Sequence, residues 1–209
     1  MPDLAEQLST LGAATLGESG GRPMRPRIRG VWPGARLAAP AFAVRCSPGD
    51  NLAIHVAVAR APAGSALAVD VGIERERGYW GEVLTTAALA RGLAGLVIDG
   101  CVRDVAALQA HGFPVFSTGV ALPGATKELP GEAGGSSDVG DVVVQTGDWL
   151  VGDADGVTVV PAPQLDDVLA AGTARAEREQ ALFDALREGK TTVELLGLDP
   201  SPIENSDDD

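Results

Sequence analysis

The stretch Gly92-Leu-Ala-Gly-Leu-Val-Ile-Asp-Gly-Cys-Val-Arg-Asp104 carries a structural signal and a chemical one. Residues 96–98, Leu-Val-Ile, form a short apolar run of the kind found in strands that are buried on both faces. Asp99-Gly100 follows as a turn signal, and a helical pattern starts directly after Arg103 and Asp104. We therefore predict a buried strand that brings a guanidinium group and a carboxylate to its C-terminal end.

The alternation of strand and helix continues on both sides of this stretch. Residues 66–71 predict a buried strand, a helix starts at Glu82 and stops at Gly92, and residues 114–117 predict another strand. Strands that alternate with helices in this way are parallel and are joined by right-handed crossovers. Ligands bind at the carboxyl ends of such strands, so Glu82 and the Arg103-Asp104 pair are expected at the same edge. The predicted fold class is α/β with a partly parallel central sheet.

The remaining segments give weaker signals. Residues 119–140 are rich in Gly, Pro, Ser and Thr and predict a long loop. The part from Gly119 to Lys127 imitates a phosphate-binding P-loop, but the lysine does not directly follow the second glycine, so nucleotide binding is not expected. Other elements predicted from periodicity are a helix over residues 4–16, a strand over 41–46, a short helix that contains His55, strands within 142–160, and a helix from Pro163 onwards.

Length and composition indicate a single globular domain with a tail. The chain has 209 residues, of which 45% are hydrophobic, and this is enough to bury a core. We predict one catalytic domain over residues 1–190 and a C-terminal tail over residues 191–209. The last part of the tail, which ends in Asp207, Asp208 and Asp209, is expected to be disordered.

The net charge argues against two classes of partner. Sixteen basic and 29 acidic residues give 16 − 29 = −13, which opposes nucleic acid and anionic membranes as general partners. The apolar runs are shorter than the roughly 20 residues that a membrane span needs, and the N-terminus lacks the pattern of a signal peptide. We therefore predict a cytoplasmic protein.

The scarcest residue types limit the kinds of catalytic site that the chain can form. A zinc site of three histidines cannot form within one chain that has two, and two cysteines fit a reduced cytosolic protein. Neither lysine is well placed for a Schiff base, because one lies in a Gly/Pro-rich loop and the other at an exposed helix end. An enzyme built from this chain would therefore depend on carboxylates and arginines. The scarce residues are Cys46, Cys101, His55, His111, Lys127 and Lys190.

Two further features favour a structural interpretation over a functional one. His55 has no visible ligand partner along its helix, which is more typical of a structural histidine than of a site residue. The arginines of the N-terminal loop are more typical of a solvated face than of a functional cluster. These arginines are Arg22, Arg25, Arg27 and Arg29.

Four segments carry a family resemblance: Trp-Gly-Glu-Val-Leu at 80–84, the run at 95–104, Gly-Phe-Pro-Val-Phe at 112–116, and Gly-Asp-Ala-Asp-Gly at 152–156. In this order they resemble the family called regulator of ribonuclease activity A-like, which includes the 4-hydroxy-4-methyl-2-oxoglutarate / 4-carboxy-4-hydroxy-2-oxoadipate aldolases. The most specific feature is the arginine–aspartate step, which comes 103 − 82 = 21 residues after the acidic residue. The resemblance implies a swivelling β/β/α fold, assembled as trimers or hexamers with the active site at a subunit interface.

The resemblance also implies roles for individual residues in a metal-dependent cleavage of 2-oxo acids to pyruvate. Asp104 would hold Mg²⁺ or Mn²⁺, with waters in most other positions. Arg103 would pair with the 2-oxo acid end of the substrate. Glu82 would orient a metal-bound water or carry a proton, and the backbone N–H groups of Val83 and Leu84 would receive the pyruvyl carboxylate.

Other parts of the implied site are less direct. The helix N-terminus after Gly81 suits a carboxylate. The aldolases usually carry Asp where this chain has Glu82, so the geometry of the base can differ by a methylene. A carboxylate from a neighbouring subunit is also expected in the family. Glu177 and Glu179 both lie in the matching region, where a solvated helix face is the simpler interpretation.

The chemistry read from the residues leads to two functional hypotheses. A hard divalent cation with few carboxylates and several waters is the usual magnesium arrangement, and with Arg103 it would stabilise the pyruvate enolate left when the C3–C4 bond breaks. The first hypothesis is therefore a divalent-metal-dependent lyase, with oxaloacetate decarboxylation as a related activity through the same enolate. The alternative is a non-catalytic protein-binding regulator. Such regulators lose the aspartate after the arginine, so Asp104 favours the enzyme over both this alternative and a plain surface ion pair.

Overall fold

The computed structural model describes residues 3–204 and gives the following elements. The helices are α1 (Leu4–Glu18), α2 (Leu52–Arg60), α3 (Glu82–Ala90), α4 (Val105–Ala110), α5 (Leu165–Arg187), α6 (Thr192–Leu196) and α7 (Ser201–Glu204). The strands are β1 (Arg22–Pro23), β2 (Arg29–Gly30), β3 (Leu37–Arg45), β4 (Ala66–Asp70), β5 (Gly95–Ile98), β6 (Cys101–Val102), β7 (Val115–Ser117), β8 (Gly119–Val120), β9 (Glu132–Ala133), β10 (Ser136–Val139), β11 (Val142–Gln145), β12 (Trp149–Asp153) and β13 (Gly156–Val160).

The main sheet is mixed, with a parallel centre. Its order is β1-β13-β12-β3-β4-β5-β7-β2, and β9 pairs with β3 off this path. Strands β3, β4, β5 and β7 are parallel to one another, while β12, β13, β1 and β2 join antiparallel. The predicted α/β class with a partly parallel central sheet is confirmed.

Strand β3 links the two parts of the sheet. Its first half, from Leu37 to Pro40, pairs antiparallel with β12, and its second half, from Ala41 to Arg45, pairs parallel with β4. Its nine residues allow one strand to pair with both β12 and β4, and Val44 and Arg45 pair with β9 as well. The sequence predicted only the second half of this strand.

Strand β4 shows how the two faces of the sheet are covered. Side chains alternate between faces along a strand, and Leu67 and Val69 pack with the helices α2, α3 and α4. Ala66 and Ala68 face the other way, towards the hairpin of β10 and β11. Their small side chains allow that hairpin to approach closely.

The segment 119–140, which was predicted to be a long loop, also contains strands β9 and β10. Strand β10 pairs antiparallel with β11, and the turn between them places Gly140 and Asp141 both at φ 61. Two positive φ values in a two-residue turn match the type I′ geometry that suits the twist of a hairpin. The loop prediction was wrong here because Ser137 is buried through a hydrogen bond from its hydroxyl to the carbonyl of Ala68, a tertiary contact that composition does not show.

Arg27 is part of an ion-pair network and not of a purely solvated face. Asp99, which is 2% exposed, accepts hydrogen bonds from Arg27 (2.7 Å), from Arg75 (3.0 Å) and from the N–H of Gly140. Arg27 also pairs with Asp141. Burial alone would raise the pKa of Asp99, but the hydrogen bonds from Arg27 and from the N–H of Gly140, together with the charges of the two arginines, outweigh it and the pKa is lowered. The network fixes the turn that follows β5.

The chain divides into two compact units inside helix α5. The first unit ends at Gly172 and the second begins at Thr173. The second unit contains α6 and α7, which lie in the segment predicted as a tail, while the predicted disorder at Asp207–Asp209 concerns residues outside the described range. Between residues 3 and 204, no helix combines the length and the apolar character needed to cross a bilayer.

Candidate functional site

A cavity of about 170 Å³ lies at the edge predicted from the sequence. Five of the six residues predicted to form the site contribute to its wall, namely Gly81, Val83, Leu84, Arg103 and Asp104. They come from the start of α3 and from the segment between β6 and α4. The sequence therefore predicted correctly which two segments meet.

Arg103 and Asp104 are held in place by their backbones. The N–H of Arg103 donates to the carbonyl of Trp80 at 2.9 Å, which ties the segment to the start of α3. Asp104 has left-handed backbone angles (φ 58, ψ 35) and precedes α4 as its N-cap residue. Aspartate tolerates this conformation better than most residues but still pays about 1 kcal/mol for it.

The two side chains remain available to a ligand. The guanidinium Nε of Arg103 lies 3.8 Å from Oδ2 of Asp104, which is a charge contact and too long for a hydrogen bond. Oδ2 of Asp104 accepts the N–H of Glu82 at 3.0 Å, the one hydrogen bond that this carboxylate makes within residues 3–204. Both side chains are exposed at the cavity.

The close approach of the two segments depends on glycine. A Cβ atom on Gly81 would lie 2.4 Å from Oδ2 of Asp104, and a Cβ on Gly78 would lie 2.7 Å from the carbonyl of Ala121. A side chain at Gly78 would press on the backbone of Ala121, and one at Gly81 would displace the carboxylate of Asp104. Trp80 lies between them, stacked on Phe113 at 5.8 Å, and supports the wall from the core side.

The first turn of α3 offers N–H groups to the cavity. The N–H of Thr85 donates to Gly81 and closes the first turn of the helix, so the N–H groups of Val83 and Leu84 have no partner within the helix. Both residues line the cavity. A helix N-terminus with open N–H groups is suited to bind a carboxylate.

Glu82 lies differently from the other predicted residues. Its side chain is 57% exposed, and Oε1 lies 3.6 Å from Nε2 of His111, the C-cap residue of α4. Glu82 is not among the residues that line the cavity. Its backbone N–H fixes Asp104, while the predicted role of its side chain stays a prediction. No sequence pattern signals the pairing of Glu82 with His111, because this pairing depends on how α3 packs against α4.

The opposite wall contains polar residues that sequence reasoning did not assign to the site. Asn51, His55 and Lys127 line the cavity together with Gly124 and Ala125. His55 was predicted to be structural, but its position four residues after Asn51 places both on one face of α2 and was a usable signal. Burial and the nearby charge of Lys127 lower the pKa of His55, which favours the neutral imidazole.

Asn51 is fixed by the loop that precedes α3. Its Nδ2 donates to the carbonyl of Tyr79 at 2.8 Å, while its buried Oδ1 has no hydrogen-bond partner in the part of the chain that the structure describes. Tyr79 in turn accepts the N–H of Gly49. The two walls of the cavity are therefore joined directly.

The donor set suits one type of metal ion. Among the described residues, no three His, Cys, Asp or Glu side chains are grouped so that they could hold an ion alone. A closed zinc site does not fit this set. Mg²⁺ or Mn²⁺ does fit, because such hard ions accept a single carboxylate and keep several waters, and Asp104 offers one oxygen beyond its bond to Glu82.

The C-terminal carboxylates lie in the second unit. Oε1 of Glu179 pairs with Nε of Arg175 at 2.8 Å along α5, and Glu177 is exposed. These contacts agree with a solvated helix face. The contribution of either carboxylate to a neighbouring subunit stays a prediction.

Comparisons with known proteins bear on the family and the fold of the chain. The family model for RraA-like proteins, described as Aldolase/RraA, matches residues 2–159. A relative from Halalkalibacterium halodurans, named putative 4-hydroxy-4-methyl-2-oxoglutarate aldolase, is 35% identical over 163 residues, or 78% of this chain and 75% of the relative.

Solved structures show the same architecture. An uncharacterized protein from Pseudomonas syringae pv. tomato matches with a TM-score of 0.79 at 26% identity, over 90% of this chain and 94% of that one. The RNA-processing inhibitor RraA from Thermus thermophilis matches with a TM-score of 0.64 at 26% identity, over 77% of this chain and 94% of that one. These likenesses confirm the fold that the sequence resemblance implied, and the chain belongs to the RraA-like family.

Proposed function

We propose that this protein is a divalent-metal-dependent lyase that releases pyruvate from a 4-hydroxy-2-oxo acid of the 4-hydroxy-4-methyl-2-oxoglutarate type. The observation that carries the proposal is the cavity in which Arg103, Asp104 and the open first turn of α3 lie together. The name of the Halalkalibacterium halodurans relative supports the same reaction class. We place the reaction in the cytoplasm.

The chain's own residues would bind and orient the substrate. The N–H groups of Val83 and Leu84 would receive the carboxylate next to the keto group, and Arg103 would donate to the keto oxygen. When the C3–C4 bond breaks, negative charge develops on that oxygen, and a guanidinium already in place stabilises it without rearrangement. Mg²⁺ or Mn²⁺ held by Asp104 would supply further charge stabilisation as a Lewis acid.

Two other groups would complete the reaction. Lys127 on the opposite wall would attract the anionic remainder of the substrate, beyond C4. Glu82 would carry a proton, because its carboxylate is exposed and lies next to His111, so it can exchange protons with solvent. Oxaloacetate decarboxylation would use the same binding mode, since loss of carbon dioxide leaves the same enolate.

We also propose that the protein works as a homo-oligomer, a trimer or a hexamer, with one site per subunit interface. In that assembly Glu177 or Glu179 of a neighbouring copy would approach the cavity. Light scattering of the purified protein would measure the mass, and a monomer that is fully active would contradict this part of the proposal.

The alternative is a non-catalytic regulator that acts through protein contacts. The similarity to the RNA-processing inhibitor from Thermus thermophilis favours it. Asp104 argues for the enzyme, because a surface used only for protein contacts has no need for a carboxylate in a left-handed backbone position beside an open helix N-terminus.

A coupled assay separates the two functions. Pyruvate release from 4-hydroxy-4-methyl-2-oxoglutarate or from oxaloacetate is followed with lactate dehydrogenase, with added Mg²⁺ or Mn²⁺ and again after EDTA. We expect turnover that disappears with EDTA and returns with excess metal. Equal rates with and without EDTA would contradict the metal dependence, and no pyruvate from either substrate would favour the regulator.

A further inference from the structure

Asp50 is buried next to the cavity without lining it. Its side chain is 1% exposed, and its carboxylate accepts four hydrogen bonds. Oδ1 accepts the N–H of Leu52 at 2.8 Å, while Oδ2 accepts the hydroxyl of Thr126 at 2.7 Å and the N–H groups of Glu128 and Leu129 at 2.6 and 3.1 Å. Three of the four donors therefore come from one short segment of chain.

That segment, residues 124–129, is called the wall segment here because Gly124, Ala125 and Lys127 line the cavity. Apart from Asp50, the segment is held by an arginine and by backbone contacts, and Nη1 of Arg77 donates to the carbonyl of Gly124 at 3.0 Å. Thr126 exchanges backbone hydrogen bonds with Gly49 and Asn51, both at 2.9 Å, and Gly124 forms an isolated bridge with Gly78. The wall segment lies in an exposed stretch, from which Ala125 packs against the core. The Asp50 carboxylate accepts three hydrogen bonds from the segment, more than any other group among the described residues.

We propose that Asp50 is a positioning residue that fixes the wall segment and so keeps Lys127 at the cavity. The inference rests on the proposed function, in which Lys127 attracts the anionic substrate. A carboxylate suits this task because both of its oxygens only accept, and here three donors converge on one of them. Burial raises the pKa of Asp50, but the hydrogen bonds from Glu128 and Leu52 and from Thr126 bring it to about 2. The group is therefore ionised at neutral pH.

The first test is Asp50→Asn, which keeps the shape but loses the charge. If the amide NH₂ takes the place of Oδ2, it faces the N–H donors of Glu128 and Leu129. If it takes the place of Oδ1, the hydrogen bond from Leu52 is lost. We expect the KM for the 2-oxo acid to rise about tenfold, as for the loss of one hydrogen bond to a charged group, while kcat stays within about twofold. An unchanged KM would overturn the proposal.

Asp148→Asn is a matched control. Asp148 is also a buried aspartate, 4% exposed, and accepts the N–H groups of Gln145 and Ala162, both at 2.9 Å, without any contact to the cavity wall. We expect this variant to unfold at a lower urea concentration with an unchanged KM. A KM that rises as much as in Asp50→Asn would mean that general loosening is the cause and would overturn the proposal.

A double variant tests whether Asp50 acts through Lys127. Lys127→Met alone should raise KM by a similar factor, and adding Asp50→Asn should raise it no further, because the positioned group is already gone. If the increase in KM of the double variant equals the product of the increases in the two single variants, the proposal is overturned. If Asp50→Asn does not fold, Thr126→Val removes the hydroxyl that donates to Asp50 at 2.7 Å and that also lies 3.3 Å from the carbonyl of Gly49, and it leaves the two N–H donors to Asp50 in place. It should then raise KM by a smaller factor, again only when Lys127 is present.

Amide hydrogen exchange gives a readout that does not need activity. Exchange of the Glu128 and Leu129 amides should become at least tenfold faster in Asp50→Asn and stay unchanged in Lys127→Met. If the native protein releases no pyruvate, the proposed function fails, whereas unchanged exchange in Asp50→Asn overturns the anchoring role separately. Faster exchange with an unchanged KM in an active protein would also overturn the inference.

Discussion

Replacing Gly81 with alanine tests the geometry of the site directly. The new Cβ would lie 2.4 Å from Oδ2 of Asp104, whereas real Cβ atoms stay at least 3.0 Å from such neighbours, so the carboxylate must move by at least about 0.6 Å. The backbone of Gly81 is extended (φ −166), and alanine adopts this conformation without strain. The substitution therefore displaces the carboxylate without forcing the chain into a new path.

The displacement should cost activity more than stability. A misplacement near 1 Å costs on the order of 10²-fold in rate, so we expect kcat/KM for pyruvate release to fall between about 10-fold and 10²-fold. Loss of the 3.0 Å bond from Glu82 to Asp104 should lower the unfolding free energy by about 1 kcal/mol.

The coupled assay and urea unfolding measure these two effects. Gly30→Ala is the control, because its Cβ would meet its nearest neighbour, the Cβ of Ala35, at an ordinary 3.4 Å and its φ is not positive. Activity of Gly81→Ala within about twofold of the native value would show that the position of Asp104 does not matter, and would refute the site as described.

Four further variants extend the test. Asp104→Ala and Arg103→Lys should each lower turnover by about 10²-fold or more, because each removes a contact to the transition state and lysine lacks the bidentate fork of arginine. The control Asp155→Ala, at an exposed position, should keep the native turnover. Near-native rates for both site variants would contradict their roles. Asp99→Asn should lower the unfolding free energy at pH 7 by about 2 kcal/mol, because it removes the ion pairs of the buried carboxylate with Arg27 and Arg75. The pKa of Asp99 in the folded protein is lowered from 3.8, so its contribution to stability is present above that pH and is lost as the pH falls through the folded value. The difference in unfolding free energy between the native protein and the variant, measured by urea unfolding, should therefore shrink below about pH 4. A difference that stays constant with pH would argue against the ion pairs. Leu96→Ala should cost about 3 kcal/mol, because the side chain is fully buried in the sheet, and a loss under about 1 kcal/mol in the same assay would contradict that packing.

The parallel centre of the sheet could be predicted because local signals and tertiary structure agree there. Residues 66–71 and 96–98 are apolar runs bounded by turn residues, and the helix that starts at Glu82 has a clear stop at Gly92. The antiparallel flank was harder. Strand β10 consists of Ser-Ser-Asp-Val, and its pairing with β11 depends on the turn at Gly140 and on burial of Ser137, neither of which has a periodic signature.

The site could be predicted in part for the same reason. Arg103 and Asp104 follow directly from a buried strand, so topology alone places them at the sheet edge. Lys127 lies at the cavity on a segment whose N–H groups donate to Asp50, 77 positions before Lys127. No pattern within residues 119–140 encodes that contact. Long-range hydrogen bonds of this kind set the second wall, and they become visible only in three dimensions.

The left-handed backbone at Asp104 is unfavourable for the stability of the fold, although the proposed reaction needs an aspartate at this position. Glycine there would remove the unfavourable backbone energy of about 1 kcal/mol, and this gain roughly offsets the lost bond to the start of α3. A single substitution would then abolish the reaction at almost no cost to the folded state. The proposed catalyst could therefore turn into an inert scaffold without misfolding, so a measurement of stability alone would not distinguish the two.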